Sequence, residues 1–162
     1  MAFALRAANE GDASALVALE RACFGDDKDS FSASQLKYLV TRANAETRLL
    51  IDERGRPVGY GSLLFRRNER RARLYSFCLH PEVRGQGLAQ RLLLALEAVA
   101  LARGCDHLYL EVRADNRTAI GLYRRMGYEM QRWLEAYYHD GCAAWRMIRP
   151  LGTPDHRGRP KG

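Results

Sequence analysis

The chain has 162 residues, one domain's worth of sequence and enough to bury a sizeable core. Apolar residues make up 47%, yet no run approaches the roughly 20 needed to span a bilayer, so no membrane contact is expected. The formal net charge of +7 raises the possibility of nucleic acid, but only Lys28, Lys37 and Lys161 are lysines, the basic residues are scattered apart from the run at Arg66 to Arg73, and nothing aromatic interleaves with that run as a stacking platform. The charge therefore argues against a nucleic-acid partner. Cys23, Cys78, Cys105 and Cys142 contain no CxxC pair, which excludes a zinc ribbon and points to no metal and a reducing compartment. The first residues are too short and too weakly apolar for a signal peptide, so a soluble cytoplasmic protein is expected.

In chain order, Phe3 to Arg6 reads as a short strand and Asp12 to Cys23 as a helix with apolar residues at Ala15, Leu16, Leu19 and Ala22. Gly25 to Ser30 is a turn-rich acidic loop. Ser32 and Gln35 form a capping box, and Phe31 with Leu36 could staple the start of a second helix that reaches about Arg42. Arg48 to Asp52 and Val58 to Phe65 are strands joined across Arg54-Gly55-Arg56-Pro57. Arg66 to Arg73 reads as a solvated, positively charged hairpin loop that could steer an anion.

Leu74 to Leu79 is an apolar strand that runs through His80-Pro81-Glu82-Val83 into Arg84-Gly85-Gln86-Gly87-Leu88-Ala89, where a long helix begins and continues to Arg103. A glycine-rich turn ahead of a helix offers unpaired N–H groups at the positive end of the helix dipole, a natural phosphate cradle. The dinucleotide fingerprint fits poorly: Gln90 replaces its third glycine, and five residues separate the strand from the first. Gly104 ends the helix. His107 to Val112 is the next strand, and Asn116 to Arg125 the next helix, closed by Gly127. Tyr128 to Trp133 and Cys142 to Ile148 form a final hairpin with Asp140-Gly141 in its loop. Residues 150–162 are polar and rich in Gly and Pro, a disordered basic tail after a domain of residues 1–149.

From the residues alone, Glu111 is either an ordinary charged residue near a strand end or a carboxylate in a partly dry cleft, able to accept a proton. Tyr123 shares a helical face with Ala119, Leu122 and Met126 and reads first as a core aromatic. Asn116 is placed as a helix N-cap. Cys78 as a covalent acyl carrier is a weaker alternative, since its nearest histidine, His80, has no evident pairing with it.

Three motifs in order carry a resemblance that covers residues 74–128. Arg84-Gly85-Gln86-Gly87-Leu88-Ala89 is similar to the Q/R-x-x-G-x-G/A signature of the GNAT superfamily of N-acetyltransferases. Leu110-Glu111-Val112-Arg113-Ala114-Asp115-Asn116, then Ala119-Ile120-Gly121-Leu122-Tyr123 and Met126-Gly127-Tyr128, resemble the second half of that fold, most closely its ribosomal-protein-alanine (RimI-like) branch. The resemblance implies a mixed α/β domain with a central, mostly antiparallel sheet of six or seven strands, the two central strands splayed at the cofactor site. It implies an acetyl-CoA-dependent N-acetyltransferase, monomer or homodimer, that moves the acetyl group to a primary amine directly in a ternary complex. Glu111 would then be the base and Tyr123 the acid. Cys78, Leu79, Arg84, Gly85, Gln86, Gly87, Leu88, Ala89, Gln90 and Asn116 would hold the cofactor. Tyr137 and Tyr138 resemble the paired tyrosines that frame a peptide N-terminus. Two departures, Cys142-Ala143 in place of acidic residues and Gly25-Asp26 in place of Pro-Trp, keep a small amine or a lysine side chain open as acceptor. Asp26, Asp27 and Asp29 would border that acceptor and attract its positive charge.

Overall fold

A computed structural model describes residues 2–25, 30–42 and 44–152. The expectations for Asp26, Asp27 and Asp29, and for residues 153–162 of the tail, lie outside the described residues. The chain forms two compact bodies, one from residues 1–64 and 75–96, the other from 65–74 and 97 onward.

The first body contains β1 (Ala4–Ala7), α1 (Ala13–Phe24), α2 (Ala33–Thr41), β2 (Ala45–Ile51), β3 (Pro57–Leu64), the second half of β4 (Arg71–Leu79) and the first turns of α3 (Leu88–Ala102). β1 pairs antiparallel with β2, and β2 with β3. α1 and α2 turn Leu16, Leu19, Leu36 and Leu39 onto Leu49, Tyr60 and Cys78 of the sheet, forming an apolar cluster in which every member is at most 6% exposed. Full burial of each leucine contributes about 1.5–3 kcal/mol. The capping box at Ser32 and Gln35 forms as the sequence predicts. Gly61 has no room for a side chain, because a Cβ there would collide with the Leu96 side chain of α3. The buried Glu20 carboxylate accepts from the Tyr60 hydroxyl at 2.6 Å and from the Phe31 N–H at 2.9 Å, and so joins α1 to β3 and to the start of α2.

The second body contains the first half of β4, the end of α3, β5 (His107–Arg113), α4 (Arg117–Arg125), β6 (Glu129–Leu134) and β7 (Ala144–Pro150). β4 and β5 are parallel, with Arg71 opposite His107 and Leu74 opposite Leu110, where the ladder ends. β7 inserts between β5 and β6 and is antiparallel to both. Leu108 and Leu110, on one face of β5, are buried with Met147 and Ala144 of β7. Glu97 is buried as well, accepting from Tyr128 Oη at 2.7 Å and Arg149 Nη1 at 2.6 Å.

The hydrogen-bonded strand order is β1-β2-β3-β4-β5-β7-β6, a mixed α/β fold with a seven-stranded, mostly antiparallel sheet. Two local expectations are corrected. Arg71 to Arg73 do not belong to a loop, because β4 starts at Arg71 and Ala72 is fully buried between the two arginines. The final strand is Ala144–Pro150 rather than Cys142 to Ile148.

Candidate active site

The 84–90 turn has the geometry its composition predicts. Pro81–Val83 forms a single 3₁₀ turn, capped by His80, whose Nδ1 accepts from the Glu82 N–H at 3.1 Å. Gly85 and Gly87 then adopt φ of +82° and +75°, in the left-handed region that favours glycine. At both positions a Cβ would meet open space within 4 Å, so the main chain is approachable from outside. α3 starts at Leu88, and the N–H groups of its first turn lack intrahelical acceptors. Leu88 is buried, Ala89 half-buried, and Gln86 and Gln90 exposed. Arg84 does not swing freely: its Nε donates to the Leu79 carbonyl at 3.2 Å. The Cys23 thiol donates to the same carbonyl at 3.1 Å, which ties the end of α1 to the end of β4.

That contact brings Cys23 beside Cys78, a pairing with no signal in the sequence spacing. The Cys23 thiol is held below its usual range by a hydrogen bond from Cys78 and by the Arg84 guanidinium. Cys78 is buried and pushed well above its usual range, first by that same bond and then by desolvation. A thiol so held is a poor nucleophile, because the thiolate is the reactive form.

In the second body, Glu111 lies on β5 with its side chain 5% exposed. Its environment is ionic rather than apolar. Oε1 accepts from Arg73 Nε at 2.9 Å and is 2.9 Å from Arg73 Nη2, while Oε2 accepts from Arg146 Nε at 2.8 Å. Register explains both partners, since Arg146 stands opposite Glu111 in the β5–β7 ladder and Arg73 opposite Tyr109 in the β4–β5 ladder. A carboxylate has about four acceptor positions. The two hydrogen bonds fill one position on each oxygen, which leaves a second position on Oε2.

Arg73 also donates through Nη2 to the Tyr137 hydroxyl at 3.1 Å, so the network holding Glu111 reaches the tyrosine pair. Tyr137 and Tyr138 pack edge to face at 5.0 Å. The Arg113 guanidinium lies 5.0 Å over the Tyr138 ring and donates to Asp115 and Asp140. Burial raises the Tyr137 hydroxyl, and the Glu111 charge raises it further.

Tyr123 of α4 is buried and packs edge to face on Tyr128 at 5.8 Å. Desolvation pushes its hydroxyl far up, so it stays protonated throughout the neutral range. Asn116 caps α4, its Oδ1 accepting from the Ala119 N–H at 3.1 Å. Sequence reasoning missed Arg73, Arg146 and Cys23. For Arg73 a signal was present: Arg71-Ala72-Arg73-Leu74 alternates with the period of a strand.

Residues 13–128 match the acetyltransferase (GNAT) family, and the chain belongs to that family. It is 39% identical over 71 residues to acetyltransferase SG1711 of Sodalis glossinidius (strain morsitans), a match covering 44% of this chain and half the length of that relative. Among solved structures it is similar to the ribosomal-protein-S18-alanine N-acetyltransferase of Escherichia coli, with a TM-score of 0.84 and 23% identity, covering 96% of this chain and 98% of the other. It is also similar to a chain of the NatC complex bound to Gag peptide and CoA, with a TM-score of 0.79 and 20% identity, covering 93% and 99%. At these identities the two structures establish the fold alone.

Proposed function

We propose that the protein is an acetyl-CoA-dependent N-acetyltransferase that acts on a primary amine, with a protein N-terminus as the favoured acceptor. The observation that carries the reading is the open turn at Gly85 and Gly87, where the main chain accepts close approach by a pyrophosphate at the start of α3. Acetyl-CoA supplies an activated acetyl thioester when bound. Gly85 to Gln90 hold its phosphates through backbone N–H groups, with the Arg84 guanidinium alongside. Because the Leu79 carbonyl is already taken by Arg84 and Cys23, Cys78 and Leu79 contribute on the cofactor side through their N–H groups rather than through that oxygen. Asn116 contributes from the start of α4 only if its cap to Ala119 is shared.

Glu111 takes up the proton of the incoming amine at the acceptor position left on Oε2, directly or through a water molecule. The two arginines fix the carboxylate in place, Arg73 through Oε1 and Arg146 through Oε2. Tyr123, protonated at neutral pH, gives its proton to the departing thiolate. Tyr137 and Tyr138 frame the acceptor. The fold neighbours whose names specify a ribosomal-protein alanine and a peptide favour an α-amine, which also needs less help than lysine to lose a proton at neutral pH.

Titration calorimetry with acetyl-CoA and with NAD tests the cofactor assignment, and tight NAD binding without acetyl-CoA binding would overturn it. For the acceptor, Tyr137→Ala or Tyr138→Ala should raise the KM for a peptide far more than the KM for acetyl-CoA. Equal changes in both would count against a peptide-framing role.

A further inference from the structure

The Cys23 and Cys78 thiols take no part in the acetyl transfer proposed above, yet the fold holds them together. Cys23, in the last turn of α1, packs against the apolar cluster that contains Cys78. Its Sγ donates at 3.1 Å to the carbonyl of Leu79, the residue that follows Cys78 in β4. The Cys78 thiol in turn donates to the Cys23 sulfur. Both residues belong to the first body, so one packed unit fixes their approach.

The two thiols are unequal in the way an oxidisable pair requires. Cys23 is half-buried and within reach of a small oxidant, whereas Cys78 is 6% exposed. The bond from Cys78 and the Arg84 guanidinium favour the Cys23 thiolate, the form that reacts. The carbonyl end of α1 disfavours that charge, and Arg84 opposes it. Cys78 is held protonated first by its bond to Cys23, then by desolvation, then by the Cys23 charge. Oxidation of Cys23 removes the first and third of these causes and leaves the Arg84 charge, which favours the Cys78 thiolate. The second thiol is thus activated only after the first has reacted.

We propose that Cys23 and Cys78 form a reversible disulfide on exposure to hydrogen peroxide, and that this bond weakens cofactor binding at the neighbouring turn. In the first step the Cys23 thiolate attacks one peroxide oxygen. The O–O bond breaks, hydroxide leaves, and Cys23 becomes a sulfenic acid. In the second step the Cys78 sulfur attacks the Cys23 sulfur, the S–O bond breaks, and the departing hydroxide takes up the Cys78 proton as water. Across both steps two thiols lose two electrons, the peroxide gains them, and two waters form. The disulfide itself does not depend on the acetyl-transfer reading. Its effect on binding does, because that reading puts the Cys78 and Leu79 N–H groups on the cofactor side. Oxidation takes the Cys23 S–H away from the Leu79 carbonyl. A covalent S–S bond is also shorter than the hydrogen bond it replaces, so Cys78 is drawn toward α1.

The test treats the reduced full chain with hydrogen peroxide and maps its peptides by mass spectrometry without reduction. Cys23 should be found joined to Cys78, and dithiothreitol should restore both thiols. Cys78→Ser should instead accumulate the Cys23 sulfenic acid, trapped with dimedone. Calorimetry should show acetyl-CoA binding about 3–10-fold weaker after oxidation, the worth of one hydrogen bond, and restored by dithiothreitol. In Cys23→Ser the affinity should not respond to peroxide. If Cys78→Ser does not fold, the peptide map of the unmodified chain decides. Absence of the Cys23–Cys78 peptide, a bond to Cys105 or Cys142 in its place, or passage of Cys23 to sulfinic acid without a disulfide overturns the proposal. A mapped disulfide with unchanged acetyl-CoA affinity overturns its effect on the cofactor. If the reduced chain binds no acetyl-CoA at all, the acetyl-transfer reading fails, and the peptide map still decides the disulfide.

Discussion

Glu111 and Arg146 face each other across the β5–β7 ladder, joined by a 2.8 Å hydrogen bond from Nε to Oε2. A strand register thus decides which cation sits on the candidate base. It also means that the residue has a structural role beside any chemical one.

Glu111→Gln should therefore have two separable effects. Turnover should fall by roughly 10²–10⁴ at neutral pH, the usual worth of a positioned base, with partial recovery at high pH where the free amine forms unaided. Stability should also drop, by about 1–3 kcal/mol, because two partly buried guanidiniums lose a charged acceptor. Steady-state kinetics with a parallel thermal melt separates the two, and an unchanged melt would show that the arginines re-pair elsewhere.

Tyr123→Phe keeps the ring that packs on Tyr128 and removes only the hydroxyl. Folding should survive, turnover should fall by about 10²-fold or more, and alkaline pH should not restore it. Full activity in this variant would make Tyr123 a core residue only.

Gly87→Ala should be costly although the site is open. With φ at +75° and no neighbour within 4 Å of the new Cβ, the penalty is conformational, about 1–2 kcal/mol for an alanine held left-handed. If the turn instead relaxes, acetyl-CoA affinity should fall while the melting temperature holds. Calorimetry and a melt together tell the two responses apart, and no change in either would sink the role assigned to the turn.

The buried tyrosines set an alkaline limit. Desolvation raises Tyr60, Tyr123 and Tyr128 in the folded state, and for Tyr60 and Tyr128 the neighbouring carboxylates Glu20 and Glu97 act in the same direction. A raised folded-state pKa contributes stability that is fully present below the unfolded value of about 10 and is lost as pH rises above it. Phenolate absorbance should thus appear in two phases, exposed tyrosines first and the buried ones with cooperative unfolding. A single smooth titration in the folded protein would contradict the burial.

Cys23 and Cys78 should differ in alkylation. Iodoacetamide near neutral pH should label half-buried Cys23 well before buried Cys78, because the Arg84 guanidinium and the Cys78 bond favour the Cys23 thiolate. Arg84→Met should slow the labelling of Cys23, read by mass spectrometry. Faster labelling of Cys78 would reverse the assignment.

Much of this protein was legible in the sequence, because local rules govern those parts. The glycines of the 84–89 turn announce a positive φ wherever they fall, Ser32 and Gln35 carry their capping box with them, and Asn116 caps α4 from its own side chain. Order and spacing of three motifs were enough to reach the family. What the linear order could not give was the company that each residue keeps across the sheet. Arg73 and Arg146 lie 38 and 35 positions from Glu111, and only the β4–β5 and β5–β7 registers bring them together. Cys23 reaches the Leu79 carbonyl over 56 positions through the packing of α1 on the sheet. Hydrophobic periodicity says which face of an element is buried but not which neighbour it meets, and the charge around Glu111 depends entirely on that neighbour.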